Sequence, residues 1–179
     1  MTCIVGLEHK GAVWIGGDSA AVSGDDIVSH SEPKVFFNGP FLIGFSTSFR
    51  IGDLLRYALK PPVPKKGQHV LAFLATTFVD KVRNLFREKG VLGTNGEDQT
   101  EDGATFLIGF RGSLYVVEED FQVYQPLRGY HAIGAGDNPA LGSLYSSDSR
   151  EPQTRVLEAL KASEQFCSVV RAPFHVLHT

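Results

Sequence analysis

Residues 2–18 read TCIVGLEHKGAVWIGGD. Two short apolar runs, Cys3–Glu8 and Ala12–Gly17, flank the polar stretch HKG at 9–11. Apolar runs either side of a glycine-bearing turn predict a β-hairpin, with Gly11 in the turn. The first strand begins directly behind Met1, at Thr2. Most domains start with a frayed, polar end; here the chain start is built into a core strand and held still.

Working outward, Lys34–Phe37 and Phe41–Phe45 form a second pair of runs joined by NGP at 38–40, another turn signature. The first 46 residues thus read as two strand pairs. The period then changes. Ile51, Leu54, Leu55 and Ala58 mark one helix face, closed by the breaker-rich KPPVPKKG at 60–67. Val70, Leu71, Leu74, Phe78, Val82 and Leu85 mark a longer amphipathic helix over roughly 68–89. The polar GTNGEDQTEDG at 93–103 reads as a loop.

Strands return at Thr105–Phe110, Leu114–Glu118, Gln122–Tyr124 and Tyr130–Ile133. GDNPALGSLYSS at 136–147 starts a helix with Asp137 or Asn138 as cap and Pro139 in the first turn. Pro152 opens a last helix, with Val156, Leu157, Leu160 and Cys167 facing inward, and FHVLHT at 174–179 closes with a strand. Strands in blocks and helices in pairs argue against alternating βαβ units. They predict an α+β protein, a four-layer αββα sandwich of two antiparallel sheets flanked by helix pairs, in one domain over 1–179.

The composition is that of a globular protein, with 42% hydrophobic and 21% charged residues. A net charge of -3 gives no footprint for nucleic acid. No apolar run approaches the roughly 20 residues of a membrane span, and Glu8, His9 and Lys10 interrupt any signal-peptide core. The two cysteines, Cys3 and Cys167, form no framework and no metal-ligand spacing. They read as reduced, buried thiols, with a Cys3–Cys167 disulfide as the alternative. No metal or cofactor is expected, and the location expected is cytoplasmic.

Thr2 carries the chemistry of the reading. A Thr hydroxyl attacks well only if its proton is removed as it does so. A free α-amine, with a pKa of about 8 against about 10.4 for Lys, is a base suited to neutral pH. Both groups on one residue make a nucleophile with its own base. That requires removal of Met1, which the small Thr2 side chain permits; with Met1 in place the nitrogen is an amide without basicity. A neighbouring cation lowers an amine's pKa. Lys34, at the start of its strand in SEPKVFF, is placed to supply that charge, and Asp18, ending VWIGGD, is placed to hold Lys34.

These segments resemble the proteasome β-subunit family, and within it the HslV-type bacterial peptidases, which are N-terminal-nucleophile hydrolases. The similar stretches are TCIV opening a strand, GGDSAA after the second strand, KVFFNGPFLIGFS, the later GYHAIGAGDNPALGSL and the final RVLEALKASEQFC. The Thr2, Asp18 and Lys34 spacing matches the family's Thr, Asp and Lys without gaps. The resemblance implies Thr2 as nucleophile and base, Lys34 as the group that lowers the amine pKa, and Asp18 as its orienter. It implies an oxyanion donor from the backbone of Thr47 or Ser48, in a turn that is Gly-rich in the family. It also implies a substrate pocket including Ala21, Glu32, Lys34, Phe36 and Phe45. Ala135 stands where the family has a Ser. The implied assembly is a homo-oligomeric ring or stacked rings acting on polypeptides, with an ATPase unfoldase as partner.

Two other functional readings stay beside the peptidase: a non-catalytic ring-forming or scaffold member, and a small-amide amidase acting as a lone subunit. The blander readings of single residues are also kept. Cys3 follows Thr2 on a strand, so its side chain points to the opposite face and a Cys nucleophile is disfavoured. GAGDNP lacks the third glycine of a dinucleotide fingerprint. His131 reads as core or interface, Trp14 as core or subunit contact, and Phe36, Phe37, Phe41, Phe45 and Phe49 as core, with Phe36 and Phe45 as alternative pocket walls.

Overall fold

The opening hairpin sets the frame. In a computed structural model, which describes residues 2–23, 26–46, 48–92, 104–148 and 150–179, β1 (Ile4–His9) pairs antiparallel with β2 (Ala12–Gly17). Ile4 lies opposite Gly17 and His9 opposite Ala12. The two turn residues, Lys10 and Gly11, have φ of 48° and 80°. Positive φ at both centres is the turn that matches strand twist, and glycine takes it without steric cost.

Two further strands complete that sheet: β10 (Tyr130–Ile133) beside β1 and β11 (His175–His178) beside β2, in the order β10-β1-β2-β11, all antiparallel. A second antiparallel sheet runs β5 (Val35–Asn38), β6 (Phe41–Phe45), β7 (Phe106–Phe110), β8 (Ser113–Val117), β9 (Val123–Tyr124), in chain order.

Between β2 and β5 the expectation of only two strand pairs fails. β3 (Ala20–Ser23) and β4 (Asp26–Ser29) form a third hairpin, with Ala20 opposite Ser29. Every residue of β4 is exposed. A strand with no buried face leaves no alternation to read in the sequence.

The first helical region is α1 (Phe49–Asp53), which runs into a π-helical turn over Leu54–Ala58. The second is one rod: α2 (Val70–Phe73), a π-helical turn (Leu74–Phe78) and α3 (Val79–Glu88). Ser48 Oγ accepts from Ile51 N and His69 Nδ1 from Ala72 N, so each rod opens on a side-chain cap. The last two helices are α4 (Asp137–Ser146) and α5 (Pro152–Phe166), with Pro152 in the first turn as expected. The predicted side-chain cap of α4 is absent. Gly136 occupies the cap position, and Asp137 Oδ1 instead accepts from its neighbour Asn138 N at 2.6 Å. Cys167 lies just past α5, half-buried, rather than on its inner face.

Three apolar clusters hold these elements. Phe41, Ile43, Phe106 and Ile108 of the second sheet pack with Leu55, Phe78 and Phe86 of the first two helical regions. Cys3, Val5 and Leu7 pack with Leu144, Val156 and Leu160 of α4 and α5. Ile4, Val13 and Ile15 meet Leu42, Leu107 and Leu114 between the sheets. Strand alternation therefore sends Cys3 toward the helices and Ile4 toward the second sheet. The sheets approach closely here: a Cβ on Gly44 would lie 2.6 Å from Ile4 Cγ2. That approach brings the start of β1 to the start of β5.

Candidate active site

Thr2 precedes β1 on the side of Ile4, facing the second sheet. Asp18 follows the last residue of β2, and Lys34 precedes the first residue of β5, so both stand one position outside the strands expected to carry them. All three are buried, at 2%, 0% and 2% exposure. Lys34 Nζ donates to Thr2 Oγ1 at 2.8 Å and to Asp18 Oδ1 at 2.8 Å.

The hairpin register explains the meeting. Asp18 N donates to Cys3 O, and Cys3 N donates back to Asp18 Oδ1 at 3.1 Å, extending the β1–β2 ladder past Ile4 and Gly17. Asp18 Oδ2 accepts from Ala20 N at 3.0 Å and Arg171 N at 3.4 Å. The carboxylate thus receives one ammonium and three backbone N–H donors. Lys34 titrates below its ordinary range, because burial outweighs the attraction of Asp18. Its ammonium also lies 5.8 Å from the centre of the Phe49 ring.

Thr2 is fixed on its other side by the turn after β10. Gly136 N donates to Thr2 O at 3.3 Å. Gly134 has φ of 93°, and a Cβ there would overlap Thr2 O, so glycine is required for the turn to close on the strand. Ala135 sits exposed in this turn. Its carbonyl accepts from Cys167 Sγ at 3.5 Å.

Cys3 turns away from this group. Its Sγ donates to Gly136 O at 3.4 Å and lies 3.3 Å from Ser163 Oγ, and burial pushes the thiol up to about 12. Such a thiol is neither exposed nor ionised, and a nucleophilic role for it is set aside. Both cysteines are free, which removes the disulfide alternative.

Of the two expected oxyanion donors, Thr47 lies outside the described residues. Ser48 is exposed and is the N-cap of α1, a role its sequence position did not suggest. Ser46 N is already committed to Thr105 O at 3.2 Å.

The expected pocket residues divide. Phe36 and Phe45 are buried, with ring centres 6.3 Å apart, in the cluster beneath α1. Phe45 N donates to Lys34 O, so Phe45 stands beside Lys34 across the β5–β6 pair. Ala21 is buried in β3, opposite Val28. Glu32 is largely exposed and pairs with Arg56 Nη1 at 2.6 Å. Sequence reasoning missed Arg56, whose guanidinium stacks 4.5 Å from the Phe36 ring and bonds Pro33 O. It also missed the position of Phe49, edge-on to Phe45 and stacked on His30 at 4.1 Å. The signal for Phe49 is its place in the aromatic run, where only Phe36 and Phe45 carry an alternative to a core role.

His131 is half-buried between Tyr124 and the end of the sheet. Tyr124 OH donates to Glu118 Oε1 at 2.8 Å and lies 3.4 Å from His131 Nε2. Glu118 and His131 edge a cavity of about 470 Å³. Trp14 stacks on His178 at 4.2 Å. Among the described residues no three His, Cys, Asp or Glu side chains gather as a metal site, and no helix is long and apolar enough to cross a membrane.

Solved structures match this arrangement of elements, although no family model and no curated protein matches the chain. Two are of BPH from Thiobacillus denitrificans, one of them in complex with epoxomicin. They superpose with TM-scores of 0.80 and, for the complex, 0.82, at 17% and 16% identity, over 99% of this chain and 97% of theirs. The chain has the fold of these proteins. Eukaryotic HslV from Trypanosoma brucei gives a TM-score of 0.67 at 16% identity over 98% of each chain. A Gly-1 mutant of Anbu from Hyphomicrobium sp. strain MC1 gives 0.72 at 14% identity, over 98% of this chain and 80% of that one. This is an α+β fold of antiparallel sheets and helices, shared with these solved structures.

Proposed function

We propose that this chain is a threonine-type amidohydrolase of the N-terminal-nucleophile class, a one-domain four-layer αββα sandwich that cleaves peptide bonds in a ring-forming, proteasome-like assembly. The observation that carries the reading is the buried chain from Thr2 Oγ1 through Lys34 Nζ to Asp18 Oδ1, each step 2.8 Å.

Removal of Met1 would free the Thr2 nitrogen as an amine. Thr2 Oγ1 then attacks the substrate carbonyl carbon while its proton passes to that amine, directly or through a water. The alkoxide developing on Oγ1 faces the Lys34 ammonium, which Asp18 holds in place. The same ammonium disfavours protonation of the amine and keeps it a base near neutral pH. The tetrahedral oxyanion takes a backbone N–H from the turn at 47–48. As the C–N bond breaks, the leaving amine takes the proton from the Thr2 ammonium, leaving an ester. Water attacks the ester carbonyl, its proton goes to the amine, the C–O bond breaks, and Oγ1 recovers a proton. The Gly136–Thr2 bond keeps the residue still through both halves.

The test begins with the mass of the purified chain, which reports whether it starts at Thr2. That protein is then incubated with epoxomicin and assayed on a fluorogenic peptide, with Thr2→Ala as control. The reading expects a covalent adduct and hydrolysis, both lost in Thr2→Ala. A chain that starts at Thr2 yet takes no adduct and cleaves no peptide or small amide overturns it, and rings without labelling would identify a scaffold member. A labelled monomer would identify the lone-subunit amidase.

A further inference from the structure

The connector between α5 and β11 ends its hydrogen bonds on the candidate site. Arg171 N donates to Asp18 Oδ2 at 3.4 Å, across 153 positions of sequence. Two pins hold that amide there. On one side Ser19, at 1% exposure, donates its N–H to Arg171 O at 3.0 Å and its hydroxyl to Pro173 O at 2.6 Å. On the other, Glu164 in the last turn of α5 reaches along the connector, and its Oε1 accepts from Ala172 N at 2.8 Å. Nothing in the proposed chemistry needs Ser19 or Glu164 to touch substrate.

We infer that Ser19 and Glu164 are positioning residues: they pin the connector so that its backbone N–H orients the Asp18 carboxylate toward Lys34. The Arg171–Asp18 bond is the longest of the four on this carboxylate. At that length a displacement of a few tenths of an ångström removes it. Oδ2 would then keep only Ala20 N, a donor two residues along, and the carboxylate would be held less tightly about its last torsion. Turning lengthens the Oδ1–Lys34 contact and weakens the attraction that opposes desolvation of the ammonium. Of the ionisable groups around Lys34, Asp18 favours its charged form, Cys3 stays a neutral thiol, and the Thr2 amine of the processed chain opposes it alike in every variant. Cys3 is held by Gly136 and Ser163, outside the connector, so the effect runs through Asp18.

The consequence for rate rests on the proposed function, whereas the titration of Lys34 is read without it. In the full chain, labelled with ¹³C and ¹⁵N, the Lys34 side chain is titrated by NMR in wild type, Ser19→Ala, Glu164→Ala and Glu164→Gln. Ser19→Ala and Glu164→Ala each lower the Lys34 pKa by about half a unit, the effect of one net hydrogen bond. Glu164→Gln, whose amide oxygen still accepts from Ala172 N, keeps the wild-type titration. The pH profile of kcat moves with Lys34, while KM stays. An unchanged Lys34 titration in the folded Ala variants overturns the inference, and either variant decides if the other fails to fold. A shifted titration in a protein that takes no adduct leaves the inference standing and sinks the peptidase reading. An active wild type with an unmoved Lys34 does the reverse.

Discussion

Replacing Asp18 with Asn tests the electrostatics of the site at a single atom. The substitution keeps the shape. Its amide oxygen can still accept from Lys34 Nζ and Cys3 N, which Asp18 Oδ1 serves at 2.8 and 3.1 Å. Its NH₂, however, faces the N–H groups of Ala20 and Arg171, donor against donor. Lys34 is left as a buried ammonium without its carboxylate. Breaking one side of a buried pair costs about 3–5 kcal/mol. Lysine, unlike arginine, can shed its proton to escape that cost. Lys34 already titrates below its usual value, and Asp18 is the group that holds it up, so Asp18→Asn lowers it further. At pH below both folded-state values, both proteins carry the ammonium and the deficit is full. As pH rises, the variant loses its proton first, and the deficit shrinks by up to about 1.4 kcal/mol per pH unit until the wild type also deprotonates. Urea unfolding of the two proteins at steps from about pH 6 up to the ordinary lysine value of 10.5 measures this. A deficit under about 1 kcal/mol, the value of an exposed pair, would refute the buried-pair argument. So would a deficit that stays flat or widens with pH.

Three further outcomes follow from the packing and burial. A Cβ on Gly52 would overlap the Phe45 ring, so Gly52→Ala destabilises by about 1–3 kcal/mol. In a Phe45→Ala background the same change becomes neutral or stabilising, and a double-mutant cycle with additive terms would contradict that contact. Ellman's reagent modifies one thiol of the native protein, Cys167, and a second only after unfolding, since Cys3 is fully buried and pushed up to about 12; rapid reaction of two thiols in the native state goes against this. Burial lowers His131 below its ordinary 6.5, so the unfolded chain takes up the proton first as pH falls. Stability is then present above 6.5 and lost as pH drops from there toward the folded value, and His131→Gln flattens that part of the stability curve.

What the sequence disclosed was set by short-range geometry. The β1–β2 hairpin was legible because Gly11 sits between two apolar runs and the strands carry their burial in their own pattern. The meeting of Thr2, Asp18 and Lys34 was expected from their places at strand ends and from the family resemblance, since no local pattern tells that β1 approaches β5. β3 and β4 were not, since an exposed strand has no buried face to declare itself. The π-helical turns at Leu54–Ala58 and Leu74–Phe78 leave the apolar spacing nearly unchanged, so the helices were found and their widened turns were not. The connector was hidden for a different reason: Arg171 reaches Asp18 through a backbone N–H, which almost any residue type supplies.

A structural ion pair and the proposed attacking group draw on the same placement of charge. A buried ion pair is a poor stabilising device, since apolar residues of similar volume commonly do as well or better. The layer between the sheets shows the apolar solution, with Ile4, Ile15, Val35 and Leu42 packed together. One step beyond Ile4 the rule changes. The residues leading into β1 contribute a hydroxyl, the residue after β2 a carboxylate and the residue before β5 an ammonium, while the last connector gives that carboxylate an N–H. A buried ammonium is stabilised by any further acceptor, and the Thr2 hydroxyl at 2.8 Å serves as one whether the pair is structural or reactive. An attacking group needs that hydroxyl, and needs the cation beside it. The Asp18→Asn measurement gives the stability at stake in the pair, and the Thr2→Ala control tells whether chemistry is what the pair serves.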